Sequence, residues 1–165
     1  LLVQGAVLED VRARAMMAGP DGGQGGHVRT LDINSDLAES YGNWRMGNDD
    51  ELVPLITTAN MACGFHASDP VTMVRAVELT AKHEVAVGAH PGLPDLLGFG
   101  RRVMTITPED AYAYVLYQAA ALKGILESRG QTLHHVKPHG AMYLVLKTNE
   151  EAAAAVAEEH GLLIW

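Results

Sequence analysis

Cysteine is nearly missing from this 165-residue chain, with Cys63 standing alone. One thiol excludes an internal disulfide framework and a multi-cysteine zinc site, and it fits a reducing cytoplasm. Basic residues are also sparse: 12 Lys and Arg against 20 Asp and Glu give a formal charge of −8. No block of Lys or Arg is available to follow a phosphate backbone, so nucleic acid and anionic membrane are disfavoured as partners. No apolar run reaches the ~18 residues of a membrane span. The first residues also lack the basic-then-apolar pattern of a signal peptide. The expectation is a soluble cytoplasmic protein. What is present, 48% hydrophobic residues, suffices for a sizeable core in one domain.

Residues 1–27 read as a flexible N-terminal extension and linker. LLVQGAVLEDVRARAMMAG can form a short helix, but it runs into PDGGQGG, a breaker that lacks the strand and helix of a dinucleotide fingerprint and the Lys-Ser/Thr of a P-loop. From residue 28 strand and helix signals alternate. VRTLDIN (28–34), LITTANMAC (55–63), EVAVGA (84–89) and TLHHVK (132–137) read as strands. Asp69-Pro70 opens a helix to about His83, and Thr107-Pro108 opens a long one that Gly130 closes. Thr148-Asn149-Glu150-Glu151 is a capping box for a third helix ending near Gly161, and LLIW begins a fifth strand. This alternation predicts an α/β fold with a parallel sheet and right-handed crossovers. Residues 28–165 would then form a partial (β/α) barrel, completed by further chain or by a partner.

Four stretches concentrate the chemistry: LDINSDLAES (31–40), TANMACGFHASDP (58–70), VGAHPGLPDLLGFGRR (87–102) and HVKPHGAMY (135–143). Each follows or ends a strand, where a βα unit places its loop. Asp32, Asn34 and Asp36 share a strand face by their spacing, with Glu39 in the loop beyond; helix capping by Asp36 and Ser40 is the bland alternative. Asn60 either orients a substrate carbonyl or satisfies strand-end backbone, and Cys63 reads as a small core residue. Arg101 and Arg102 suit a carboxylate or phosphate, although surface pairing explains Arg102 equally well. His134 and His135 alternate across a strand, so at most one faces the site, and either can be a plain sheet residue. Lys137 can stabilise an oxyanion, and His139 offers a ligand or general base. His66, His90 and His139, each near the end of a successive strand and joined by Asp36, make a set competent for a divalent metal or for metal-free acid–base work.

The segments DINSDLAESYGNW, TANMACGFHASDP, GAHPGLPDLLGFGRR and VKPHGAMY resemble the LamB/YcsF family, from about Leu31 onward. The resemblance implies an irregular (β/α) barrel of the glycoside hydrolase/deacetylase type, with this chain as a C-terminally truncated member. It implies ATP-dependent opening of 5-oxo-L-proline to L-glutamate, a small-molecule lactam reaction performed with separate B and C subunits of 5-oxoprolinase. ATP is the cofactor implied, and a divalent metal ion is a possible second one. Carried over by motif, the site positions are Asp36, Glu39, Asn60, His66, His90, Arg101, Lys137 and His139; from their chemistry we assign Asp36, Glu39, Lys137 and His139 to catalysis, Asn60 and Arg101 to substrate, and His66 and His90 to metal. The chain departs from the family at several points. Members usually have Cys and Gly where it has Ser35 and Ala38, Gly for Ser68, an aromatic for Leu93 and Asn for Leu144. Two rival readings stand beside this one: a metal-dependent deacetylase or amidohydrolase acting on an acylated sugar, and a truncated, non-catalytic assembly subunit.

Overall fold

The computed structural model describes residues 31–158. Four parallel strands lie side by side in chain order: β1 Asn34–Leu37, β2 Thr58–Ala62, β3 Ala86–His90 and β4 Leu133–Val136. Between and after them run α1 Asp49–Leu52 with a 3-10 turn at Val53–Leu55, α2 Pro70–Lys82, α3 Pro108–Glu127, α4 Gly140–Thr148 and α5 Glu150–Glu158. The expected extension and linker at residues 1–27 and the expected fifth strand LLIW lie outside the described residues.

Alternation within the strands decides which face meets the helices. Met61 of β2, Val87 and Ala89 of β3 and Val136 of β4 pack into one apolar core with Met73 and Val77 of α2, Val115 and Leu122 of α3 and Val156 of α5. Leu37 and Ala59 continue the same face into a smaller cluster with Val53, Ile56 and Val85. The opposite face carries Asn34, Asp36, Asn60, Gly88 and His90, with Asp36, Asn60 and Gly88 in register across three strands. Cys63 is buried, and burial pushes its thiol up to about 12, which leaves it inert as a nucleophile.

The helix starts follow their local chemistry. Asp69 accepts hydrogen bonds from the backbone N–H groups of Val71 and Thr72 at the start of α2. Thr107 and Asp110 form a reciprocal capping box ahead of α3. Three expectations need correction. β1 spans Asn34–Leu37, so among the described residues of the expected strand 28–34 only Asn34 belongs to it; Asp32 precedes the strand, and its carboxylate instead accepts from the Thr57 and Thr58 hydroxyls. β2 begins at Thr58 because the turn containing Pro54 occupies Val53–Leu55. α4 was not expected: its start has no side-chain cap, and a short apolar run such as AMYLVL is ambiguous between helix and strand. Thr148 is accordingly the last residue of α4, and Asn149 alone accepts from the Ala152 N–H at the start of α5. No helix among the described residues is long and apolar enough to cross a membrane.

Two of the departures from the family pattern fall at left-handed backbone positions: Ala38 has φ 60° and Ser68 has φ 74°. A Cβ is penalised there by roughly 1–2 kcal/mol, partly offset by the extra freedom of Gly in the unfolded chain. Ala38→Gly and Ser68→Gly are therefore each expected to stabilise the fold by up to about 1 kcal/mol. Urea unfolding measures this, and a destabilised pair would show that packing around these buried side chains outweighs the strain.

Candidate active site

The strand ends gather the predicted residues at one rim. His90 is the last residue of β3, Lys137 directly follows β4, and His139 is the N-cap of α4. His66 lies in the loop between β2 and α2, Asp36 on β1, and Glu39 just past it.

Around the histidines the hydrogen bonds fix which ring nitrogen carries a proton. His90 Nδ1 lies 2.5 Å from the Lys137 carbonyl and His139 Nε2 lies 2.8 Å from the Phe99 carbonyl. A carbonyl only accepts, so both of these nitrogens must be N–H donors. The remaining nitrogens, His90 Nε2 and His139 Nδ1, face each other at 3.0 Å. Two lone pairs at that distance require a proton or a cation between them. His66 stacks on His139 with ring centroids 3.7 Å apart and planes within 2°, and both of its nitrogens are buried without a hydrogen-bond partner. Burial, with the neighbouring His139 and His90, pushes the His66 imidazole down to about 2; burial is also the main cause that takes His139 to about 4. Lone pairs converging from buried imidazoles are what a divalent metal needs. Glu39 joins them, the four ligand atoms all lying within 4.8 Å of one another.

Glycines make this crowding possible. A Cβ on Gly92 would stand 2.5 Å from His66 Nδ1, and one on Gly100 would stand 2.7 Å from the Cβ of His66 and 2.9 Å from Cδ2 of His139. The loop after β3 is clamped from behind by Gln118 of α3, which bonds the N–H and the carbonyl of Gly92 at 3.0 and 2.9 Å. Phe99, whose carbonyl holds His139, sits at φ 54°, a strained position of the kind found at functional sites.

Beside the cluster opens a cleft of about 480 Å³ lined by Asp36, His90, Arg101, Lys137, His139 and Tyr143. Lys137 Nζ lies 2.5 Å from Asp36 Oδ1, and His90 Nε2 lies 3.4 Å from Asp36 Oδ2. Burial raises the Asp36 pKa, but His90, Lys137 and Asn60 outweigh it and hold the carboxyl far below the usual carboxylate range. Glu39 goes the other way: burial, then the Asp36 charge, raise it. The two adjacent arginines separate. Arg102 is tied to the buried carboxylate of Asp95, which also accepts from the Gly98 and Arg102 N–H groups. Arg101 stays in the cleft with its guanidinium 5.7 Å from the Phe99 ring centroid.

Asn60 lies behind the cleft and is fully buried. Sequence reasoning left open whether His135 faces the site or is a plain sheet residue, and it did not single out Gly88 or Gln118; the two-residue spacing of His135 and Lys137 was the available signal for the first. A second cleft, of about 400 Å³ between residues 40–50 and α2, contains Arg45 and Arg75 but none of the rim residues; Arg75 is already paired with Asp50.

A four-stranded parallel sheet with helices on one face and a polar C-terminal rim on the other defines a (β/α) barrel-like α/β protein. The chain belongs to the LamB/YcsF family, whose sequence model matches residues 31–161. It is 54% identical over 131 residues to the 5-oxoprolinase A subunit of Bacillus cereus (strain AH187), covering 79% of this chain and 52% of that protein. It is 52% identical over 143 residues to the 5-oxoprolinase A subunit of Bacillus mycoides (strain KBAB4), covering 84% and 56%. Among solved structures it is similar to a lactam utilization protein from Thermus thermophilus, with a TM-score of 0.77, 50% identity, and coverage of 81% of this chain and 56% of that one. The chain thus spans about half the length of the curated relatives it matches.

Proposed function

We propose that this chain serves ATP-dependent hydrolysis of 5-oxo-L-proline to L-glutamate in the cytoplasm, as the A subunit of a 5-oxoprolinase with B and C subunits. The observation that carries the reading is the placing of the Lys137–Asp36 pair and Arg101 in one cleft, directly beside His90 and His139. It is supported by the family membership and by the names that the relatives bear.

A five-membered lactam is a stabilised amide, and opening it to glutamate is unfavourable enough to need coupling. Transfer of a phosphoryl group from ATP to the amide oxygen makes the ring carbon electrophilic. Water then adds to that carbon, the C–N bond breaks to free the amine and leave an acyl phosphate, and a second water hydrolyses the acyl phosphate to the carboxylate and phosphate. In this cleft Arg101 is suited to the substrate carboxylate and Lys137 to the charge that builds on oxygen. Asp36, kept ionised, is placed to orient the water and Lys137 together. No P-loop is present in the sequence, so ATP is held by a surface of another kind or by the partner subunits.

His66, His90, His139 and Glu39 would hold a divalent metal, and the orphaned nitrogens of His66 are the feature that fits them to it. Such an ion would polarise the amide oxygen or lower the pKa of water. The same four residues also favour a second reading, a metal-dependent deacetylase or amidohydrolase acting on an acylated sugar without ATP.

The test is glutamate release from 5-oxoproline and ATP by this chain with B and C subunits, beside His139→Ala. Turnover that falls at least about a hundredfold in the variant supports the reading and the site. ATP-independent deacetylation with stoichiometric metal would replace it with the second reading. Tight binding to the B and C subunits with no turnover would leave only an assembly role.

A further inference from the structure

The face of the sheet beneath the cleft holds a buried polar row that the proposed chemistry does not use. Strands β3 and β4 fall out of step there: Val87 pairs with Leu133 and Ala89 with Val136, so His134 and His135 together stand opposite Gly88. This is a β-bulge, a device that re-aims side chains and recurs next to active sites. Its effect is to lay the His135 ring across Gly88, where a Cβ would collide with the imidazole.

His135 Nε2 lies 2.7 Å from Asn60 Oδ1. Asn60 Nδ2 in turn donates to Asp36 Oδ1 at 2.8 Å and to Asn34 Oδ1 at 2.5 Å, while Asn34 Nδ2 lies 3.3 Å from Asn60 Oδ1. Asn60 and His135 are both buried. Every hydrogen-bonding position of the Asn60 amide is therefore taken, two as acceptor and two as donor. An amide so saturated has none left for a substrate. Its one contact with the cleft is Asp36, the carboxylate that Lys137 also grips.

We propose that His135 is a positioning residue that acts through Asn60: by donating to the Asn60 carbonyl it fixes the amide's orientation, so that the amide N–H points at Asp36 Oδ1 and holds that carboxylate between Lys137 and His90. Without the His135 donor the orientation of the Asn60 amide rests on Asp36 alone, because Asn34 can pair with it in either orientation. A flipped amide would turn a carbonyl toward Asp36 and repel it. The β-bulge and Gly88 are what bring the ring within reach. The kinetic arm of the test rests on the function proposed above; the geometric arm does not.

The experiment compares His135→Asn with His135→Gln in the full chain. The Gln amide nitrogen reaches about where Nε2 stands, whereas the Asn amide stops near Nδ1 and cannot reach Asn60. Both variants lose the ring and its packing; the Asn amide keeps a polar group beside His134 Nδ1, which lies 3.1 Å from His135 Nδ1, whereas the Gln amide keeps the donor to Asn60. In the His135→Asn protein the exchange of the Asn60 side-chain amide protons, followed by NMR, is expected to quicken about tenfold, the loss of about one buried hydrogen bond. kcat with the B and C subunits should fall by a similar factor of about ten with KM little changed, and His135→Gln should keep both within about threefold of wild type. Equal behaviour of the two variants overturns the proposal, as does faster exchange in His135→Asn with kcat unaltered. If wild type gives no turnover, the functional reading fails by itself. A crystal structure of His135→Asn then decides the geometry, with an unmoved Asp36 carboxylate overturning the proposal and a displaced one upholding it.

Discussion

His66→Phe is expected to weaken binding of Zn²⁺ or Co²⁺ by more than the roughly 10–100-fold typical of losing an outer-shell partner, and at the same time to stabilise the metal-free protein. The two signs have one cause. His66 is wholly buried, and neither ring nitrogen has a hydrogen-bond partner. Leaving a buried polar atom unsatisfied costs about 1–3 kcal/mol, so the metal-free fold bears a penalty that phenylalanine removes. The replacement keeps a flat ring of similar size, preserving the stack on His139 and the edge contacts to His90 and Phe99. A ring retained only for packing would gain from the exchange and lose nothing. A ring retained as a ligand would gain in stability and lose the metal. Calorimetric titration with the metal and urea unfolding in chelator measure the two halves separately. Unchanged metal affinity would remove His66 from the ligand set, and a destabilised metal-free variant would mean that water already satisfies its nitrogens.

The second large effect is expected at Lys137. Lys137→Met should lower kcat by about 10²–10³-fold, the usual cost of removing one donor from a site of developing negative charge, with a much smaller change in KM. Lys137 is the ammonium paired with Asp36, and both side chains remain partly open to the cleft at 36% and 38% exposure. The pair is thus accessible to substrate and not a sealed structural bridge. Lys137→Arg should not rescue, since a planar fork cannot take the place of a compact ammonium between Asp36 and a substrate oxygen. Arg101→Met is the control with the opposite signature: a residue that grips a remote carboxylate should raise KM and leave kcat nearly unchanged. Steady-state kinetics of the three variants with the B and C subunits separate these outcomes. A Lys137→Met enzyme with normal kcat would dismiss the oxyanion role.

Much of the fold was legible because its signals are local. Asp69-Pro70 and Thr107-Pro108 mark helix starts through interactions spanning only a few residues, and both helices begin where those dipeptides predict. The stretches read as the second, third and fourth strands contain most of β2, β3 and β4, but VRTLDIN shares only Asn34 with β1. β1 starts where Asn34 finds Thr58 across the ladder, and no property of VRTLDIN itself sets that register. α4 escaped notice for a related reason: it starts without a side-chain cap, and a short apolar run such as AMYLVL is ambiguous between helix and strand.

The same division runs through the site. Strand–helix alternation in the sequence was enough to put His66, His90, Lys137 and His139 at or just beyond strand ends, which share one rim of a parallel sheet. The chain's acidity and its single thiol are plain from composition alone. That Arg102 is consumed by Asp95 while Arg101 faces the cleft came from the folded loop, because two adjacent arginines are equivalent until the segment between Asp95 and Arg102 closes. Tertiary structure likewise turned Asn60 inward to Asp36 and His135. It also set the protons of His90 and His139, by placing a carbonyl from a distant segment against one nitrogen of each ring. The settings of Asn60, His90 and His139 depend on contacts between residues 24 to 75 positions apart. Chain neighbours and periodicity carry no information about them.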